Sequence, residues 1–152
     1  MADAFVREYT GADFEALYAI DQACYPPGIA YTRRVLRWFL ALDGAIRRVA
    51  ERDGRIAGFI LALDEGDSGH IITLDVLRAH RRQGIGSLLL TSAERELAAR
   101  GVRQVELETA TDNHAAVAFW QKHGYRTCAV LPRYYLGQHD AFWMAKQLDT
   151  ET

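Results

Sequence analysis

A chain of 152 residues with 49% hydrophobic and 25% charged side chains is long enough to bury a substantial core and sits in the usual one-domain range, so a single domain over residues 1–152 is expected. Its formal charge of −2 gives no general attraction to nucleic acid or an anionic membrane, and Arg33-Arg34, Arg47-Arg48 and residues 78–82 make only local basic spots. The sequence has no signal-peptide core and no apolar run of bilayer length, which makes the cytoplasm the expected compartment.

In chain order, residues 5–10 read as a strand, and Asp13 is placed to cap a helix with Phe14, Leu17, Ile20 and Cys24 on its apolar side. Pro26-Pro27-Gly28 ends that helix, and Thr32 can cap another carrying Val35, Leu36, Phe39 and Leu42 at helical spacing. Residues 46–51 and 56–63 flank Asp53-Gly54, a pair suited to the positive-φ turn that matches strand twist, and read as a hairpin. A turn over residues 64–69 leads into an apolar strand, residues 71–77. Helical periodicity returns at Ile85, Leu88, Leu89 and Leu97 and stops at Gly101. A strand at 105–110 and a helix ending near His123 follow. Two strand-helix units in succession imply parallel pairing across a crossover, and hairpins at either end imply antiparallel flanks. The expected class is therefore α/β (α+β), a mixed and mostly antiparallel sheet with helices on both faces. Cys24 and Cys128 lack both a Cys-x-x-Cys partner and a histidine at ligand spacing, so they are expected to be buried free thiols, with no metal.

Between the strand at 71–77 and the helix at 85–100 lies Arg81-Arg82-Gln83-Gly84-Ile85-Gly86. Glycines 84 and 86 lack the Cβ atoms that would hold a phosphate away. The free N–H groups of the following helix, with the positive end of its dipole behind them, point at whatever sits there. A diphosphate fits such a cradle; a plain glycine-containing turn is the simpler reading. The spacing is neither Gly-x-Gly-x-x-Gly nor Gly-x-x-x-x-Gly-Lys-Ser/Thr, so the dinucleotide and P-loop readings lose their defining residues.

What remains, Arg81-x-x-Gly84-x-Gly86, resembles the acyl-CoA diphosphate loop of the GNAT N-acetyltransferases. Downstream, Asn113, Ala116, Phe119, Trp120 and Gly124-Tyr125 resemble that superfamily's second signature: an asparagine opening a helix, an aromatic near its end, then glycine and an aromatic. Arg133-Tyr134-Tyr135, His139-Asp140-Ala141 and Met144 resemble the tail of the ribosomal-protein-alanine and N-terminal (α-amino) acetyltransferase branch; Val6-Arg7, Asp13 and Cys24-Tyr25-Pro26-Pro27 fit it more loosely. The resemblance implies acetyl-CoA as cosubstrate. It also implies two central parallel strands that splay apart near residues 74–76 and 107–109, leaving a cofactor cleft.

The same resemblance assigns roles. Backbone N–H groups around Leu74, Asp75 and Val76 are implied donors to the thioester and pantetheine. Arg81, Arg82, Gln83, Gly84, Ile85, Gly86 and Ser87 are implied to hold the diphosphate, with Phe119 and Trp120 beside the cofactor. Asn113 contacts the pantetheine or is a plain helix N-cap, and Lys122 meets a CoA phosphate or is an ordinary surface lysine. Tyr25 and Tyr31, opposite Tyr134 and Tyr135, are implied to line the acceptor groove; aromatic packing is the other reading in a chain with seven tyrosines.

Acyl transfer from a thioester requires a neutral amine, donors to the carbonyl oxygen as charge builds there, and in some cases a proton for the departing thiolate. In Val105-Glu106-Leu107-Glu108, period two puts both carboxylates on one strand face, where a cavity or water must meet them. Glu108 occupies the position of the base in the branch it resembles, Glu106 lies one pleat earlier, and a structural salt bridge is the alternative. With reference pKa values of about 7.9 for an α-amine and about 10.4 for lysine, deprotonation at pH 7 costs about 1.2 and about 4.6 kcal/mol. A lone carboxylate acting through water therefore suits a protein or peptide N-terminus better, with a small-molecule amine as the same-chemistry alternative. Trp120 departs from the pattern: it stands where a tyrosine commonly protonates the thiolate, and an indole N–H is no comparable acid. The thiolate then leaves unaided, another phenol serves, or the chain is a non-catalytic acyl-CoA-binding module. The sequence is silent on oligomeric state.

Overall fold

The computed structural model describes residues 3–148. Strands β1 (Phe5–Glu8), β2 (Ala45–Arg52), β3 (Arg55–Asp64), β4 (Ser68–Val76), β5 (Gln104–Ala110), β6 (Arg126–Tyr135) and β7 (His139–Gln147) form one sheet in the order β1-β2-β3-β4-β5-β7-β6. Among the described residues, only β4 and β5 pair in parallel. Helices α1 (Phe14–Cys24) and α2 (Arg33–Leu40) join β1 to β2, α3 (Ile85–Ala99) crosses from β4 to β5, and α4 (His114–Lys122) joins β5 to β6.

Two apolar clusters separate the layers. Ile85, Leu89, Leu90, Ala93 and Leu97 of α3 and Trp120 of α4 meet Ile46, Ile60, Val105 and Leu107, while Phe14, Leu17 and Ile20 of α1 and Leu36 and Leu40 of α2 meet Val49, Phe59 and Leu61. Because β3 is covered on both faces, residues 57–63 are buried without interruption, which explains their unbroken apolar run. The expected Asp-Gly hairpin is present, with φ of +54° at Asp53 and +75° at Gly54. No helix among the described residues is long and apolar enough to cross a membrane.

Packing overrides the pattern at several points. Leu88 is 46% exposed, and Leu90 and Ala93 fill the core in its place; Val35 is exposed, and Leu40 closes the buried stripe of α2. Asp13 does not cap α1 through its side chain. Its carboxylate instead takes two hydrogen bonds from Arg7, at 2.9 and 3.0 Å, and one from the Thr10 N–H at 2.8 Å, and these hold its pKa below the usual carboxylate range. Cys24 is half-buried and Cys128 lies exposed on β6, so burial of both thiols was the wrong expectation.

The feature that makes a site is the short β4–β5 ladder, which ends after Ser68↔Gln104, Gly69↔Val105 and His70↔Glu106. From there β4 stays with β3 and β5 stays with β7, through Leu107↔Met144, Glu108↔Trp143 and Thr109↔Phe142. A bulge assists the separation: Leu61 pairs with Thr73 and Ala62 with Ile71, leaving Ile72 as the extra residue that bends β4. The expected splay of the two central parallel strands is therefore present.

Candidate active site

At the mouth of the splay, Leu77 donates its N–H to the Ala57 carbonyl of β3 at 2.9 Å. Strand backbone groups alternate in direction, so the preceding amide, that of Val76, faces the cleft vacated by β5, whereas Asp75 pairs with Phe59. The Val76 carbonyl accepts from Arg81 Nε at 2.8 Å, and the same guanidinium lies 3.6 Å from Cys24 Sγ. Arg81 thus braces the end of β4.

The cradle follows. Gly84 adopts φ +84° at the N-cap of α3, a conformation that side chains disfavour, and provides no side-chain cap. The first helical hydrogen bond runs from Leu88 N–H to the Gly84 carbonyl, leaving the N–H groups of Ile85, Gly86 and Ser87 at the bare positive end of α3. Arg82 and Gln83 are exposed beside it. A Cβ on Gly86 would lie 3.1 Å from Phe119 Cε1, so close passage of the two helices explains that glycine. His123, which no local pattern marked, ties them together: its ring packs on Phe119 with centroids 4.3 Å apart, and Nδ1 lies 2.9 Å from the Phe119 carbonyl. A carbonyl only accepts, so Nδ1 carries the hydrogen and Nε2 accepts from Ser87 Oγ at 2.8 Å.

On α4, the Asn113 side chain accepts from the Ala116 N–H at 3.2 Å and is a helix N-cap. Lys122 is exposed. Trp120 is 7% exposed and stacks edge-on between Phe119 and Tyr125, at 5.1 and 5.4 Å.

Across the cleft, Val105, Leu107 and Thr109 are buried while Glu106 and Glu108 share the opposite, half-buried face of β5, as period two required. Glu108 Oε1 lies 2.7 Å from Nε2 of His70, a residue on β4 that the sequence reading did not select. Burial opposes charge on that imidazole, but the hydrogen bond and the charges of Glu108, Glu65 and Glu106 outweigh it and raise its pKa. The Tyr134 phenol also faces Glu108; burial first, and the carboxylate second, push its pKa up.

The outer wall comes from two distant segments. Tyr134 and Tyr135 stand edge-to-face at 4.8 Å near the tip of the β6–β7 hairpin, within electrostatic range of Tyr31 from the α1–α2 connection. A Cβ on Gly28 would come within 2.8 Å of Leu136, so that connection and the hairpin tip touch. Tyr25 instead turns inward against Thr73 and Asp75. Among the described residues, no group of three His, Cys, Asp or Glu side chains could hold a metal. The arrangement offers an anion cradle, an amide donor directed into a cleft and a carboxylate facing the same opening.

Residues 14–125 match the model of the acetyltransferase (GNAT) family. The chain is 31% identical over 143 residues to an uncharacterized N-acetyltransferase of Methanocaldococcus jannaschii, covering 93% of this chain and 90% of the relative. It is 32% identical to the N-terminal acetyltransferase A complex catalytic subunit NAA10 of Arabidopsis thaliana, covering 94% of this chain and 77% of that protein. Among solved structures, Ard1 from Thermoplasma volcanium superposes with a TM-score of 0.87 at 26% identity, over 96% of this chain and 98% of that one.

Proposed function

Because this chain belongs to the GNAT acetyltransferase family, we propose that it moves the acetyl group of acetyl-CoA directly to the N-terminal α-amine of a protein or peptide, in a ternary complex. The observation that carries this reading is Glu108, placed beside His70 at the opening between the splayed strands. In this reading the N–H groups of Ile85, Gly86 and Ser87 hold the diphosphate and the Val76 amide donates to the thioester carbonyl. Glu108 receives the amine proton, directly or through water, as the tetrahedral centre forms. The 2.7 Å contact with His70 keeps the carboxylate oriented toward the opening. Relatives named as N-terminal acetyltransferases support the α-amine as acceptor. The reading takes residues 1–152 as one catalytic domain and places the reaction in the cytoplasm.

The test is release of free CoA thiol with peptides bearing a free N-terminus, with the same peptides blocked there, and with small amines. Turnover with free peptides alone is expected; turnover with small amines alone would reject the peptide acceptor, and none at all would favour an acyl-CoA-binding module.

Three substitutions divide the remaining roles. Tyr134→Phe and Tyr135→Phe are expected to raise the acceptor's KM several-fold with kcat near the wild-type value, because both rings form the outer wall. A rate loss at saturating peptide would reassign one of them as the acid. Trp120→Tyr is expected to leave acetyl-CoA affinity unchanged and raise the single-turnover rate, since it restores a phenol where the chain has an indole. A general acid contributes about 10²- to 10⁴-fold. An unchanged rate would mean that the thiolate leaves without help from this position.

A further inference from the structure

Asp21 on α1 and Asp75 on β4 are 0% and 1% exposed, and each keeps a side-chain oxygen, Oδ1 of Asp21 and Oδ2 of Asp75, without a hydrogen-bond partner. Their other oxygens are engaged: Asp21 Oδ2 accepts the Tyr31 N–H at 2.7 Å, and Asp75 Oδ1 accepts the Thr73 hydroxyl. Two buried carboxylates with bare lone pairs would lose their hydration and repel one another. One proton placed between the bare oxygens removes both faults, because it turns one acceptor into a donor.

We propose that Asp21 and Asp75 share a single proton, and that the resulting carboxyl pair positions the α1–α2 connection against the end of β4. The consequence for catalysis rests on the acetyl-transfer reading above; the proton itself does not. Asp75 lies next to Val76, whose amide faces the cleft. Asp21 holds the backbone of Tyr31, whose carbonyl in turn accepts from Gln22 Nε2 at 2.7 Å and whose ring stands near Tyr134 and Tyr135. The pair therefore joins the strand expected to bind the thioester to the wall expected to bind the acceptor. The other groups facing it are Cys24 and Tyr25 at the end of α1, Tyr31 in the connection and Thr73 on β4; Arg81 lies beyond Cys24. Burial first, then the hydrogen bond and charge of Asp21, push the Asp75 carboxyl well above the usual carboxylate range. A carboxyl raised in the folded state keeps a proton that the unfolded chain has released. Stability therefore falls as pH rises from the ordinary carboxylate range through the folded value.

Asp75→Asn preserves the shape and offers an amide N–H to Asp21 Oδ1 without titrating. Infrared spectra of the whole protein at neutral pH are expected to show a carboxylic-acid C=O band in the wild type that is missing from Asp75→Asn. Its absence from the wild type would overturn the shared proton. Should Asp75→Asn fail to fold, Asp21→Asn must abolish the same band, and persistence of the band would equally overturn the pair. In denaturant titrations above about pH 5, the wild-type folding constant is expected to fall relative to that of Asp75→Asn by up to about tenfold per pH unit. Parallel curves would count against it. Hydrogen exchange at residues 25–31 should accelerate in Asp75→Ala and return to the wild-type rate in Asp75→Asn; unchanged exchange in Asp75→Ala would reject the positioning role. None of these measurements needs turnover, so a wild type that holds the proton yet transfers no acetyl group would remove the catalytic reading and leave the pair standing.

Discussion

Glu108→Gln is expected to lower the chemical rate by about 10²- to 10⁴-fold, the usual range for a positioned general base, while acetyl-CoA affinity stays within about twofold. Glutamine keeps the shape of the side chain and can still reach His70, 2.7 Å away in the wild type, but it cannot accept the amine proton. The deficit should shrink as pH rises toward 9, because a growing share of the α-amine, with a reference pKa near 7.9, is already neutral. His70→Gln should cost less than Glu108→Gln, since it removes the partner and not the base. Single-turnover rates at saturating acetyl-CoA, measured from about pH 6 to about pH 9 for wild type and both variants, decide the matter. A Glu108→Gln deficit that stays constant across that range would assign Glu108 to the cleft's structure and not to its chemistry.

Gly86→Val carries the second large effect. An added Cβ would stand 3.1 and 3.3 Å from Cε1 and Cζ of Phe119, and the two valine methyls extend beyond it, so Phe119 or the start of α3 must move. Phe119 packs on His123, which accepts from Ser87, so a displaced ring also disturbs the N-terminus of α3. Loss of two charge-assisted hydrogen bonds at ~1.5 kcal/mol each corresponds to roughly 10²-fold weaker acetyl-CoA binding. Calorimetry with acetyl-CoA and with S-acetylpantetheine separates the causes, because the second ligand lacks the diphosphate. A folded Gly86→Val variant that loses equal affinity for both would reject the diphosphate cradle, as would one that loses none.

Much of this was legible in the chain because it is local. The junction at Gly84 and Gly86 needs a strand, two glycines and a helix start within a few residues. The Asp53-Gly54 turn needs two positive φ angles, and the shared face of Glu106 and Glu108 needs only the pleat of one strand. Each is set by backbone sterics and short-range hydrogen bonding, so each survives in the sequence. Asn113 as an N-cap is equally local, since its side chain needs only the Ala116 N–H three residues on.

Only the tertiary structure decided which distant groups meet. Asp13 had the right residue type to cap α1, but Arg7 across the turn claims its carboxylate, and a charged partner outcompetes a single backbone N–H. Leu88 had helical spacing, but packing of α3 beneath the sheet buried Leu90 and Ala93 instead. His70 reaches Glu108 from 38 residues away only because the β4–β5 ladder places His70 beside Glu106 before it opens. Asp21 meets Asp75 only because α1 docks on β4, and two carboxyls buried together defy the local preference of each for water. Local sterics and hydrophobic period act over a few residues and thus wrote the elements into the sequence. The charge pairs and buried acids depend on which elements close the core together, so their partners were fixed only when the chain folded.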